Sequence, residues 1–171
     1  EDGDLYKVEL LDGMTDSEIG NLKSQLPNNT LPNEIEELLR FSKGFEFYGL
    51  EEVRFDTLGH FGFEEMFPNS IQLAGDGFGN FWILDILSDG QLGNIFYACH
   101  DPAVLVKYTS NLNQFLSSIL EFHKNPSENY LNKVHEDLVF NIWESDDNLF
   151  EKKEFLDKNP ELINLLSDLE G

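Results

Sequence analysis

The chain has 171 residues, 40% of them hydrophobic and 15 of them Phe, which suits one domain with a sizeable core, alone or with an extension. Its 33 acidic against 11 basic residues give a formal net charge of −22, which disfavours nucleic acid and anionic membranes and attracts basic partners. The one cysteine, Cys99, excludes an intramolecular disulfide and a Cys-rich zinc site and fits a reducing, cytoplasmic compartment.

No apolar run approaches the ~20 residues of a membrane span. The sequence begins at Glu1 rather than Met, so no expectation about targeting is drawn from its start. The charge is uneven. Residues 1–70 hold 16 acids and 5 bases, residues 71–124 hold 5 and 2, and residues 125–171 hold 12 and 4. The middle is nearly neutral and the flanks carry the acidity.

In chain order, residues 1–14 mix acids with Leu5, Tyr6, Val8, Leu10 and Leu11, as a strand or a frayed arm would. Thr15 or Asp16 caps a short helix with Ile19, Leu22 and Leu26 at helical spacing, and Pro27-Asn28-Asn29 ends it. Leu31-Pro32 opens a second helix, with Glu34, Glu36 and Glu37 at the positive end of its dipole. Ile35, Leu38, Leu39 and Phe41 make its apolar stripe, and Lys43-Gly44 closes it, with Lys43 as a cation in the last turn and Gly at C′. Phe45–Tyr48 and Val53–Phe55 are short strands around Gly49–Glu52, and residues 56–70 are an irregular connection pinned by aromatic side chains.

The most informative stretch follows. Ile71–Ala74, Phe81–Leu87 and Asn94–Cys99 are three apolar strands. They are separated by Gly75-Asp76-Gly77-Phe78-Gly79-Asn80 and by Ser88–Gly93, turns dense in residues that accept positive φ. This is the pattern of a β-meander. His100-Asp101-Pro102 is a turn, Val104–Tyr108 is a last strand, and Ser110 or Asn111 caps an amphipathic helix carrying Leu112, Phe115, Leu116, Ile119, Leu120 and His123. Asn125-Pro126-Ser127 marks the one boundary. Beyond it lie three helical stripes: Tyr130 to Ile142, Leu149 to Leu156, and Leu162 to Leu169.

Catalytic and metal chemistry find little support in these residues. The glycine-rich turn lacks the Gly-Lys-Ser/Thr of a phosphate loop, and Asp76 would repel phosphate, so Asp76 and Asn80 are expected to hydrogen-bond turn amides. His60, His100, His123 and His135 form no His-x-x-His or His-Glu-x-x-His motif, and no EF-hand spacing occurs. Cys99 is expected to be a buried, inert thiol, because its neighbour His100 points to the opposite strand face. Asp85, in an apolar strand, is the one acid whose pKa burial would raise, and a structural role is the better reading of it. No catalytic residue, metal or cofactor is therefore assigned. Glu51, Glu52, Asp56, Glu64 and Glu65 lie in loops near Tyr48, Phe61 and Phe63. With Asp76, they are the candidate contacts to a basic protein partner.

An ordered set of these elements resembles the SUKH superfamily, named partly for a yeast cell-wall-synthesis regulator. The set is Leu31-Pro32, Ser42-Lys43-Gly44, Ile71–Ala74, Asp76-Gly77-Phe78-Gly79-Asn80, Leu84-Asp85-Ile86, Gly93-Asn94-Ile95-Phe96-Tyr97, His100-Asp101 and Leu112–Phe122, spread over residues 16–123. Lys43 departs from the family's usual Asn before Gly, and residues 125–171 have no counterpart in the pattern. The resemblance implies an α+β fold, with a mainly antiparallel meander flanked by helices, in residues 1–124. Residues 125–171 would be a helical acidic extension docked on that domain or at a homodimer interface. It further implies a non-catalytic protein that binds and neutralises a toxin, often a nuclease. A regulatory scaffold is the alternative, and a hydrolase using Asp85 or His100 the least favoured reading.

Overall fold

The structure, a computed structural model, describes residues 8–26, 29–46, 52–59, 67–87, 89–100, 103–122 and 149–150. The readings placed on residues 1–7, Pro27-Asn28, Phe47–Glu51, residues 60–66, Asp101-Pro102, the boundary at Pro126 and the stripes at 130–142, 151–156 and 162–169 lie outside these residues.

Two antiparallel sheets and three helices make an α+β fold. The smaller sheet runs β1 (Glu9–Leu10), β2 (Gly44–Glu46) and β3 (Val53–Arg54). The larger is the expected meander, in the order β4 (Ser70–Gly75), β5 (Phe81–Ile86), β6 (Leu92–His100), β7 (Ala103–Thr109) and β8 (Leu149–Phe150). The two meet where the Gln72 amide donates to Thr57 O at 2.9 Å.

Helix α1 (Asp16–Gln25) starts at Thr15. The Thr15 hydroxyl accepts from the Glu18 amide at 3.3 Å and the Glu18 carboxylate accepts from the Thr15 amide at 2.7 Å, a closed capping box. That bond from the Thr15 amide holds the Glu18 carboxyl below its ordinary pKa. Helix α2 (Asn33–Phe41) begins after Pro32 and buries Ile35 and Leu39.

Its end differs from the expectation in three ways. Phe41 is 70% exposed rather than part of the stripe, because two residues beyond Leu39 is about 200° around a helix. The last-turn cation is Arg40, bonded to Asp16 and Glu36, and not Lys43. Ser42 is the C-cap and is extended (φ −160°), so Gly44 is not a C′ residue but the first residue of β2. Gly44 is needed there for space, since a Cβ would lie 1.9 Å from the Val53 carbonyl oxygen on the paired strand.

Helix α3 (Leu112–Phe122) is capped by Asn111, whose Oδ1 accepts from the Gln114 amide at 3.1 Å. Leu112, Phe115 and Ile119 turn inward. They join Ile35 and Leu39 of α2 and Ile71, Leu73, Trp82, Leu84, Ile95 and Tyr97 of the sheet in one core. Trp82 is its centre, with ring centroids 5.2 Å from Tyr97, 5.6 Å from Tyr108 and 5.5 Å from Phe115. Alternation sends Ile83 to the other face, where it packs with Phe67, Phe96, Ala98 and Leu105.

Leu149 and Phe150 depart from the helical stripe expected of them. They pair as a strand with Val106 and Leu105. An unfilled row of β7 amides and carbonyls is a stronger local demand than the 3.6-residue spacing of a few apolar side chains.

Candidate protein-interaction site

The β4–β5 turn is built around one carboxylate. Gly77 (φ 81°) and Gly79 (φ 93°) adopt the left-handed backbone that the tight loop requires. Asp76 Oδ1 accepts from the amides of Phe78 at 2.8 Å and Asn80 at 3.3 Å. Asp76 Oδ2 accepts from Asn80 Nδ2 at 2.8 Å and from the Tyr97 hydroxyl at 2.7 Å. The turn amides donate to Asp76 as expected, whereas the Asn80 side chain bonds Asp76 and β6 rather than the turn amides. Those amides point at Asp76, so they cannot cradle an external phosphate.

Asn80, fully buried, extends the network to β6. Its Oδ1 accepts from the His100 amide at 3.0 Å and lies 2.8 Å from His100 Nδ1. The backbone amide is an obligate donor, which fixes which Asn80 atom is oxygen. His100 Nδ1 must then carry a proton, and Nε2 of the neutral ring is an acceptor. Phe78, at the apex of the turn, is 59% exposed.

Of the remaining acidic candidates, Glu52 and Asp56 are described and Glu51, Glu64 and Glu65 lie outside the described residues. Glu52 and Asp56 flank Arg54 on β3. The guanidinium forks onto Asp56 through two bonds of 2.7 Å and reaches Glu52 at 3.2 Å. The Asp56 carboxylate, aided by Glu52, raises the Arg54 pKa further above its ordinary value. Asp56 is therefore largely committed to Arg54, while Glu52, with 40% of its side chain exposed, is the more available acid. Asp76 belongs to the separate turn network. The Arg54 fork joins residues two apart along one segment, which share a face, so its signal was present in Glu52, Arg54 and Asp56 though sequence reasoning missed it. The Tyr97 hydroxyl on Asp76, by contrast, depends on which strands lie side by side.

Asp85 behaves as expected of an acid in an apolar strand. Burial pushes its pKa up to about 6, against a bond from the Ile86 amide. It faces Gly93, where a Cβ would lie 2.9 Å from Asp85 Oδ2. Asp85 lies beside Gly93 near one end of β6 and His100 ends the other, seven residues or about 23 Å apart along the strand, too far to share one catalytic centre. Cys99 is buried and His100 exposed, as alternation requires. Among the described residues no three His, Cys, Asp or Glu side chains gather as a metal site would need.

Fold and geometry together define an α+β domain whose polar networks brace its loops and which leaves Glu52, Phe41 and Phe78 exposed. A family model described as the SMI1 / KNR4 family (SUKH-1) matches residues 13–118, and the chain belongs to that family. The matched span covers the capping box, the braced turn and most of α3. Members are known broadly as immunity proteins and regulators, act through protein partners and are generally non-catalytic. No curated protein and no solved structure matches the chain. Among the described residues no helix is long and apolar enough to cross a membrane.

Proposed function

We propose that this chain is an immunity protein that binds a basic toxin domain, often a nuclease in such systems, and blocks it by occluding its working face. Membership of the SUKH-1 family is the observation that carries the reading. Physical chemistry supports it. A nuclease presents cations to phosphate, and a chain with net charge −22 competes for those cations and accelerates its own encounter. In this reading the protein works in the cytoplasm, without catalysis and without a cofactor. Glu51, Glu52, Glu64 and Glu65 supply carboxylates to the partner. Asp56 acts through Arg54 and Asp76 through its turn, because their oxygens are engaged internally.

Residues 1–124 are proposed as the binding domain. For residues 125–171, the pairing of β8 with β7 favours docking on the same chain over a homodimer interface. The test is co-expression with the basic protein encoded beside this chain in its genome. The expected result is protection of the host and a 1:1 complex that weakens with salt. Toxicity undiminished and no complex at low salt would sink the reading.

A further inference from the structure

The β4–β5 turn carries the exposed aromatic ring of Phe78 on a braced backbone. Its base is tied by the four bonds to Asp76 and by Asn80. Its apex is flanked by two glycines at positive φ. The His100 ring closes on the backbone beside it, with a Cβ at Gly79 reaching that ring at 3.4 Å. A large exposed side chain on a braced backbone suits an interface anchor: much apolar area, two torsions, and little backbone freedom left to lose on binding. His100, itself exposed, adds the acceptor Nε2 set by Asn80.

Among the described residues Phe41 is the rival exposed aromatic, at 70%. It is the last residue of α2, beside an Arg40 already engaged by Asp16 and Glu36, whereas Phe78 sits on a turn whose backbone is braced by Asp76. Phe78 stands in the least charged third of the chain, framed in sequence by the acidic flanks.

We infer that Phe78 and His100 form the anchor of the partner interface, with Phe78 entering an apolar recess of a basic protein and His100 Nε2 accepting from an Arg or Lys N–H at its rim. This rests on the partner-binding reading above and divides the labour within it: the acids speed encounter and the anchor slows escape.

Binding kinetics of the full chain with the basic protein encoded beside it test this. F78A is expected to raise Kd by about thirtyfold or more, through dissociation, with association within about twofold. F78L, which keeps apolar volume, should recover most of that loss. H100A should weaken binding by about fivefold, the worth of one interface hydrogen bond. F41A should stay within about twofold of the parent. Melting curves should show F78A still fully folded at the temperature of the binding assay, so that a loss of affinity is not a loss of fold. If F78A binds within about threefold of the parent, or F41A costs as much as F78A, the anchor is refuted while the partner reading stands. If the unmodified chain binds no such protein, both fall.

Discussion

At the scale of single residues, Asp85 is the side chain whose environment makes the sharpest prediction. Its folded pKa of about 6 stands above the ordinary 3.8, so between those values the folded state binds more protons than the unfolded one. Stability contributed at this site is therefore fully present below about pH 3.8 and is lost as pH rises from there through about 6. Two pKa units correspond to about 3 kcal/mol, and partial solvation of the carboxyl brings the expectation nearer to 2. Asp85→Asn keeps the shape and removes the charge. It should match the parent in urea unfolding at about pH 3 and exceed it by about 2 kcal/mol at pH 7. A gap that does not change with pH would mean the carboxylate is better solvated than its place in β5 implies. Gly44 gives the opposite kind of residue effect. Its absent Cβ is what lets β2 approach Val53, so Gly44→Ala should cost about 3 kcal/mol or more in the same assay at every pH.

At the scale of elements, α1 shows how legibility depends on range. Thr15 and Glu18, three residues apart before an apolar run, are a local signal, and the sequence places the helix start correctly. Thr15→Ala should lower stability by about 1 kcal/mol, read from urea denaturation, and Glu18→Gln should lower it less because Gln retains an acceptor. The meander is equally legible, since period-two alternation and glycine-rich turns are local as well. What escaped were features set by neighbours distant in sequence. Gly44 reads as a helix stop until β3 is laid against it. Leu149 and Phe150 read as helix until β7 offers a free edge. Phe41 fell to geometry that sequence does contain, because helical angle separates it from Leu39. The candidate site was legible only in part. Asp76 and Asn80 announce a turn, but that the turn rests on Tyr97 and His100 follows from strand register.

At the scale of the whole molecule, the charge acts on folding and on binding with opposite signs. Thirty-three acids among 171 residues repel one another more in the compact state than in the expanded one. Arg54 and Arg40 relieve this only locally, each held between two carboxylates. Raising ionic strength shortens the Debye length from about 30 Å at 0.01 M to about 8 Å at 0.15 M, less than the span of the domain. Self-repulsion is then screened, and the melting temperature should rise by several degrees over that range, as followed by circular dichroism. The same screening removes the long-range attraction for a basic partner. The association rate, measured in stopped flow with the basic protein encoded beside this chain, should fall by about tenfold or more, while dissociation changes little. Glu52→Lys should reproduce part of the slower association at low salt and lose its effect at high salt. Stability and association rate falling together on adding salt would point instead to ion pairs that hold the fold. That would contradict the small worth expected of the exposed Arg40 and Arg54 bridges.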